Sequence, residues 1–237
     1  MFYSGEIMLK ERSSQFSEIM DALPYPNWVM MASKLTGLLV VVVMMLLAAT
    51  IGAIGVQLYN GYFELELHVY AQGLLLFFQI PLYFMCVVSI FLFVITRSRY
   101  ITMFLMVIYA VALISLPQLG FEHYLYRMSK PGVPYSSFTG YSHLIGPYLW
   151  FTLYWSLWGA LLLLVIHLLW PRGSEFRFAT TLAVARQRFT RPVQALSAIT
   201  VIALVSTGSF IYYNTNVLNP YIGNRDFEKL QAEYEKT

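Results

Sequence analysis

The sequence predicts an all-α, polytopic membrane protein with about five transmembrane helices, a cytoplasmic amphipathic helix and an ordered outer loop. Charged residues make up 11% of the chain and hydrophobic residues 58%, whereas a soluble globular domain carries about 25% charged residues. The mean hydropathy of +0.61 agrees with this composition. Several long intervals lack Asp, Glu, Lys and Arg. A chain of 237 residues has room for about five or six spans of roughly 20 residues, and for no large soluble domain.

Five uncharged intervals define the predicted spans. Each interval is long enough to cross a hydrocarbon core of about 30 Å as a helix. The spans are predicted near residues 33–58, 70–96, 100–118, 147–170 and 192–213. Pro81 lies in the middle of the second span and should kink it, whereas Pro192 suits the first turn of the fifth. The transmembrane domain therefore covers 28–213, and residues 214–237 form an extracytoplasmic linker that begins with turns over 214–221.

The distribution of Lys and Arg predicts the orientation of these spans. One side of the predicted membrane collects Lys10, Arg12, Lys34, Arg97, Arg99, Arg172, Arg177, Arg186, Arg188 and Arg191. The other side has Arg127, Lys130, Arg225, Lys229 and Lys236. Because loops rich in Lys and Arg stay preferentially in the cytoplasm, we expect a cytoplasmic N-terminus and an extracytoplasmic C-terminus. The short Arg97-Ser98-Arg99 sequence predicts a tight cytoplasmic turn between two spans.

Residues 1–27 predict an amphipathic helix directly before the first span. Its apolar stripe, at spacings of i, i+3, i+4 and i+7, consists of Phe16, Ile19, Met20 and Leu23. Pro24 and Pro26 should end this helix, and Asn27 can cap the next. Acidic side chains outnumber basic ones around the stripe, so anionic lipid should repel it slightly. We therefore predict that it docks on a protein partner; the alternative is an interfacial helix lying on membrane lipid of the inner leaflet.

The predicted outer loop, residues 119–146, is too rich in Gly and Pro to be a span and too aromatic to be a disordered linker. We expect it to fold as a cap on the outer helix ends. Glu122, His123 and His143 are the one combination that could hold a metal ion. Since the chain has no His-Glu-x-x-His or Cys-x-x-Cys motif, we predict no metal and assign structural roles to Glu122, His123, Tyr135 and His143.

The sequence argues against catalysis by this chain. No Asp or Glu lies inside a predicted span, and neither a Gly-x-Ser-x-Gly motif nor a P-loop occurs. We therefore predict no enzymatic activity, no cofactor and no nucleic-acid partner. Ion-coupled carriers usually place ionisable groups at mid-membrane, and these spans have none. Energy for any transport must enter from elsewhere, and the cytoplasmic helix is the obvious entry point.

Several motifs resemble a known family. The first set is Gly5-Glu6, Lys10-Glu11-Arg12, Ile19, Asp21-Ala22-Leu23-Pro24, Pro26-Asn27-Trp28 and Ser33-Lys34-Leu35. It resembles the cytoplasmic segment between the second and third spans of type-2 ABC transporter permeases. The second set is Gly120-Phe121-Glu122-His123, Val133-Pro134-Tyr135-Ser136, Gly140-Tyr141 and Phe210-Ile211-Tyr212-Tyr213-Asn214-Thr215-Asn216-Val217-Leu218-Asn219. It is similar to bacterial permeases fused to a C-terminal aminopeptidase N-like domain.

The resemblance covers essentially the whole chain and implies its partners. An ABC ATPase subunit would dock on the cytoplasmic helix, and a second permease half would complete a dimer in the bacterial inner (plasma) membrane. The implied docking residues are Glu6, Glu11, Arg12, Phe16, Ile19, Met20, Asp21, Leu23 and Pro24. A full permease half has six spans, so we expect this chain to be a fragment of a longer permease-peptidase. It lacks the peptidase part, and no peptidase activity is expected.

Two functional hypotheses follow from these features. The first is a permease subunit of an ABC-type transport system, driven by a separate ATPase. The alternative is a non-transporting membrane anchor that holds an extracytoplasmic aminopeptidase-like domain at the surface. They differ at the cytoplasmic helix, which an anchor does not need. A third class, a haem or metal membrane oxidoreductase, would carry a bound metal or a visible absorption band.

Overall fold

The computed structural model describes residues 5–8, 23, 26–73, 80–133, 136, 138, 140, 145–171, 178–219, 227 and 231–234. Helices account for most of these residues, and none of them lies in a β-strand. An isolated antiparallel bridge joins Ser136 and Gly140. The all-α prediction is therefore confirmed for the described part of the chain.

Along the described chain, seven helices follow a short helical segment at residues 5–8, and residues 231–234 are helical as well. The seven helices are α1 (Asn27–Tyr59), α2 (Leu67–Tyr70), α3 (Ile80–Thr96), α4 (Arg99–Ser115), α5 (Ile145–Leu169), α6 (Phe178–Arg188) and α7 (Arg191–Tyr212). A π-helical segment, Tyr213–Leu218, directly continues α7. Helix α6 was not predicted: it lies within the Arg-rich connection that the sequence indicated only as a loop.

Three of the described helices are long and apolar enough to cross a membrane: α1, α5, and α7 with its extension to Leu218. This confirms the membrane-spanning class. Helices α3 and α4 are also apolar but have 17 residues each. At 1.5 Å per residue they are about 25 Å long, at the lower limit for a span. Residues 74–79 of the second predicted span lie outside the described residues, so the number of five spans stays a prediction.

Proline positions the first residues of three helices. Pro26 has the extended conformation of an N-cap residue, and α1 begins at Asn27 with no side-chain capping bond. The predicted capping by Asn27 is therefore wrong, because Pro26 holds the cap position and has no side-chain acceptor. Pro81 is the second residue of α3, where a missing backbone N–H is tolerated, so the expected mid-helix kink is not seen in α3. Pro192 lies in the first turn of α7, as predicted.

A tight turn joins α3 to α4, as the sequence predicts. Arg97 has a φ of 53°, the left-handed conformation that commonly ends a helix, and its amide donates to the Phe93 carbonyl at 2.7 Å. The hydroxyl groups of Thr96 and Thr102 lie 2.8 Å apart. The Thr102 hydroxyl also donates to the Ser98 carbonyl at 2.8 Å. These bonds hold the two helices together at the turn.

The end of α7 differs from the prediction. Turns were expected from residue 214, but the chain continues as a π-helix to Leu218. The side chains of Asn214 and Thr215 donate to the carbonyl oxygens of Phe210 and Ile211, each at 2.8 Å. These side-chain bonds to the preceding turn keep the chain helical where the backbone changes from α-helical to π-helical hydrogen bonding.

The chain divides into two compact units. The first contains Met1–Met106 and Gly159–Ala195, and the second contains Val107–Trp158 and Leu196–Thr237. The buried cluster of the first unit consists of Met8, Leu38, Cys86, Val87, Ile90, Phe93, Val94, Ile166 and Trp170. It combines residues of α1, α3 and the end of α5 with one residue of the N-terminal segment. The second unit buries His123, Met128, Val133, Tyr148, Phe151 and Ile211.

Candidate functional site

The helical segment 5–8 is packed into the first unit. The Met8 side chain is buried in the cluster that α1, α3 and α5 form, and Ile7 packs against the same cluster. Gly5 lies so close to α4 that an added Cβ would stand 3.0 Å from the Arg99 Cβ. A larger side chain at position 5 would therefore push the segment away from α4. This segment is the beginning of the predicted docking helix, and it is attached directly to apolar helices.

Lys34 connects this segment to α1. Its ammonium group donates to the Ile7 carbonyl at 2.8 Å, across 27 residues of sequence. Lys34 is only 6% exposed. A buried ammonium group is stable only when polar atoms replace its water, and the Ile7 carbonyl is one such atom. The bond therefore stabilises the Lys34 charge and holds the N-terminal segment against α1.

Arg99 connects the same segment to the start of α4. Its guanidinium forms an ion pair with the Glu6 carboxylate at 2.9 Å, and the two side chains are 43% and 52% exposed. The guanidinium also bonds the Tyr100 hydroxyl at 2.7 Å. Exposed ion pairs stabilise a fold only weakly. The pair nevertheless joins two distant parts of the chain, since Glu6 and Arg99 are 93 residues apart in sequence. It therefore favours contact between the N-terminal segment and the start of α4.

Only part of the predicted docking set can be located. Glu6 is described and pairs with Arg99 within the chain, and Leu23 is 46% exposed. The remaining residues, Glu11, Arg12, Phe16, Ile19, Met20, Asp21 and Pro24, lie outside the described residues. Their docking role stays a prediction. Sequence reasoning used Lys34 and Arg99 to orient the spans, and Lys34 also in the family resemblance, but missed their contacts with residues 5–8. The available signal was a lysine about two turns inside an apolar helix, which requires polar partners.

Arg188 makes a second attachment within the first unit. From the last turn of α6, its guanidinium donates to the carbonyl oxygens of Leu168 at 3.2 Å and Trp170 at 2.6 Å. The last carbonyls of a helix have no partner within it, and they carry the negative end of the helix dipole. Arg188 therefore caps the end of α5 and ties α6 to it.

In the second unit, the connection between α4 and α5 is held by His123. The ring is 6% exposed, and its Nδ1 accepts a bond from the Leu125 amide at 3.2 Å. Nε2 must then carry the proton of the neutral ring, so it donates to the Thr215 hydroxyl at 3.0 Å. Burial lowers the pKa of His123, which favours this neutral form.

Lys130 attaches the same connection to the start of α5. Its ammonium group donates to the Tyr148 hydroxyl at 2.9 Å and lies 4.3 Å from the centre of that ring. Burial lowers the pKa of Lys130 to about 8. The Trp155 indole N–H adds a bond to the Tyr124 carbonyl at 3.3 Å. These contacts attach the described residues Tyr124 and Lys130 of the connection to α5.

The candidate metal residues are not assembled in the described structure. Tyr135 and His143 lie outside the described residues, and Glu122 is half-buried near His123 in sequence. Among the described side chains, no three of His, Cys, Asp or Glu lie close enough to hold a metal ion. The structural roles assigned to Glu122, His123, Tyr135 and His143 stay predictions, with His123 seen to bond Thr215.

Comparisons with protein-family models, with characterised proteins and with solved structures found no match to this chain. The family resemblance therefore rests on the sequence motifs.

Proposed function

We propose that the protein is the membrane-spanning permease subunit of an ABC-type transport system in the bacterial inner membrane. A separate ATPase subunit docks on the helix predicted between Glu6 and Leu23, and a second permease half completes the complex. The observation that best supports this proposal is the bond from Lys34 to the Ile7 carbonyl. It joins the start of the docking helix to the first long apolar helix.

The contacts of residues 5–8 suit a coupling role. A displacement of the docking helix would reach α1 through Lys34 and α4 through Arg99. It would also reach the core that α3 and α5 share, because Met8 is buried there. The chain has no P-loop, so the free energy of ATP hydrolysis must come from a partner. A short segment anchored on several helices can pass that free energy to the membrane domain.

The same contacts support five membrane crossings. If α1, α5 and α7 alone crossed the membrane, α1 would separate Glu6 from Arg99 by the whole bilayer. Their side chains instead meet at 2.9 Å. Crossing by α3 and return by α4 would bring Arg99 back to the side of Glu6. The N-terminus, Lys34 and the α3–α4 turn would then share the cytoplasmic side, as the distribution of Lys and Arg predicts.

The proposal is tested by co-purification of the affinity-tagged full chain from its native membrane. We expect an ATPase subunit to accompany the wild-type protein. Replacing both Phe16 and Met20 by Ala should remove roughly 2 kcal/mol or more of docking free energy, if these side chains are anchors, and release the ATPase. The matched control is Met44→Ala with Met45→Ala, two exposed apolar residues of α1, which should keep the ATPase bound.

Two results would contradict the proposal. One is an unchanged yield of ATPase and unchanged cellular activity in the Phe16→Ala/Met20→Ala protein. The other is a wild-type chain that brings down an extracytoplasmic peptidase and no ATPase, which would favour the membrane-anchor hypothesis.

A further inference from the structure

Helix α6 is confined to the neighbourhood of the membrane surface by the chain itself. It ends at Arg188, and α7 begins at Arg191. Three residues extend at most about 10 Å. Both α5 and the extended α7 are long and apolar enough to cross a membrane. The C-terminal end of α6 must therefore lie close to the plane where these two helices leave the bilayer.

The bonds of Arg188 restrict α6 further. Its guanidinium bonds the carbonyl oxygens of Leu168 and Trp170, which fixes the last turn of α6 at the level of the α5 end. Ala185 is buried, so this side of α6 faces the protein. Leu182 and Phe189 flank Ala185 on the helix surface, about 60° and 40° from it, and both remain exposed.

The exposed line of α6 beside Ala185 combines apolar and cationic residues. Leu182, Arg186 and Phe189 recur at i, i+4 and i+7, which places them along one line of the helix. The Phe189 amide donates to the Ala185 carbonyl at 3.1 Å, so Phe189 continues the helical turn. Leu182 is 60% exposed and Phe189 41%, and Arg186 is exposed as well. Arg191, the first residue of α7, follows two residues after Phe189 and is also exposed. We call Leu182, Arg186, Phe189 and Arg191 the basic face.

The charge of this region has one sign. No Asp or Glu occurs between Glu175 and Asp226, so no acidic side chain of this stretch neutralises the basic face. An arginine guanidinium matches the oxygens of a phosphate group with two parallel hydrogen bonds. Helices with cationic and apolar residues side by side characteristically lie in the headgroup region of anionic bilayers.

We propose that the basic face binds anionic phospholipid at the membrane surface. Leu182 and Phe189 enter the boundary between headgroups and acyl chains, and Arg186 and Arg191 bind the lipid phosphates. A protein partner would require the face to stay in water until that partner arrives. The short link to α7 and the Arg188 bonds instead hold the face at the bilayer. This inference does not depend on the transport function proposed above.

The depth of the basic face tests the proposal. Single cysteines at Leu182 and Gln187, in a Cys86→Ala background, carry nitroxide spin labels in the full chain. Position 187 is exposed and lies about 140° around the helix from 182. The protein is placed in nanodiscs of phosphatidylcholine, with and without one-third phosphatidylglycerol. With phosphatidylglycerol, the label at 182 should collide more with oxygen than with a water-soluble nickel chelate, and the label at 187 should show the reverse.

Two results would contradict the binding of anionic lipid by the basic face. A label at 182 that is as accessible to the nickel chelate as the label at 187, in anionic nanodiscs, would overturn the proposal and favour a protein partner. Equal depth at 182 in both lipid compositions would overturn the requirement for anionic lipid.

A second measurement avoids the cysteine variants. Native mass spectrometry counts the phosphatidylglycerol molecules that remain bound to the purified wild-type protein. Each lost arginine should weaken retention about fivefold, since a basic residue near an anionic surface contributes about 1 kcal/mol. The Arg186→Gln/Arg191→Gln protein should therefore retain much less lipid. The control Arg127→Gln/Arg225→Gln removes the same charge elsewhere and should retain as much as wild type. Equal losses in both variants, or no loss in the first, would refute lipid binding by the basic face.

Discussion

At the scale of single residues, the environment of Lys34 explains why a lysine can occupy an apolar helix. The side chain is buried, and a buried charge is destabilising unless polar groups surround it. The Ile7 carbonyl supplies one of these groups at 2.8 Å. The Ile7 carbonyl needs this bond as well, because it lies directly before Met8, which is buried.

Replacing Lys34 by Met should loosen residues 5–8 and leave α1 intact. Methionine fills a similar volume but cannot donate to the Ile7 carbonyl, and a bond from a charged donor contributes about 1.5–3 kcal/mol. Hydrogen exchange followed by mass spectrometry should show faster exchange in residues 5–8. The control Arg99→Gln removes the exposed ion pair and should produce a smaller change. Equal effects of the two variants would contradict the role given to Lys34.

Lys130 should react with acylating reagents at lower pH than an ordinary lysine. Its pKa is about 8 because burial disfavours the charged ammonium, so half of the side chains are neutral at that pH. Only the neutral amine attacks an acylating reagent. In the folded protein, the acylation rate measured by peptide mass spectrometry should rise with pH and level off above about 8.

The denatured chain provides the control for Lys130. There the rate should keep rising towards the ordinary pKa near 10.4. A folded protein whose Lys130 rate also rises through pH 10 would show that its ammonium is not destabilised.

At the scale of elements, the helix ends carry the contacts that organise each unit. The end of α5 is capped by Arg188 from α6. Thr96 and Thr102 join the end of α3 to the start of α4. Polar side chains lie at these ends because backbone groups there have no partner within their own helix. The long apolar surfaces between the ends, such as those of α1, remain exposed in the chain itself.

Replacing Arg188 by Met should release α6 from α5. The carbonyls of Leu168 and Trp170 would lose a charged donor, a loss of about 1.5–3 kcal/mol. We expect a lower unfolding temperature in detergent and faster hydrogen exchange in α6. Gln187→Met in the same helix is the control, because Gln187 is exposed and lies outside the basic face, and should leave both measurements nearly unchanged. If the two variants behave alike, the cap at Arg188 does not stabilise α6.

At the scale of the whole molecule, the number of membrane crossings determines which side each connection faces. With five crossings, the α3–α4 turn lies on the same side as the N-terminus and opposite the connection after α1. With three crossings, the turn and that connection share a side. The Glu6–Arg99 ion pair is compatible with the first arrangement.

Cysteines at Glu64 and Ser98 distinguish the two arrangements. In a Cys86→Ala background, a membrane-impermeant maleimide applied to intact cells should label position 64 and leave position 98 unlabelled. Permeabilised cells provide the control, and there both positions should react. Labelling of both positions in intact cells would indicate three crossings. Labelling of position 98 alone would invert the predicted orientation.

Much of this architecture is encoded locally. Composition and long uncharged runs predict helices that can cross a membrane, and α1, α5 and α7 have that character. The Arg97-Ser98-Arg99 turn and the position of Pro192 can also be predicted locally, because each depends on the conformational preference of a few neighbouring residues. The ordered cap expected over 119–146 stays a prediction, because part of it lies outside the described residues.

The partners of the charged residues depend on long-range packing. Lys34 finds the Ile7 carbonyl, Glu6 finds Arg99 across 93 residues, and Arg188 finds the end of α5. The π-helical end of α7 and the presence of α6 were also missed. Periodicity and local propensity describe one segment at a time, whereas the pairing of helix ends depends on which apolar surfaces pack together. For that reason, the three long apolar helices could be anticipated from the residues alone, and the attachments of the N-terminal segment and of α6 emerged only from the folded chain.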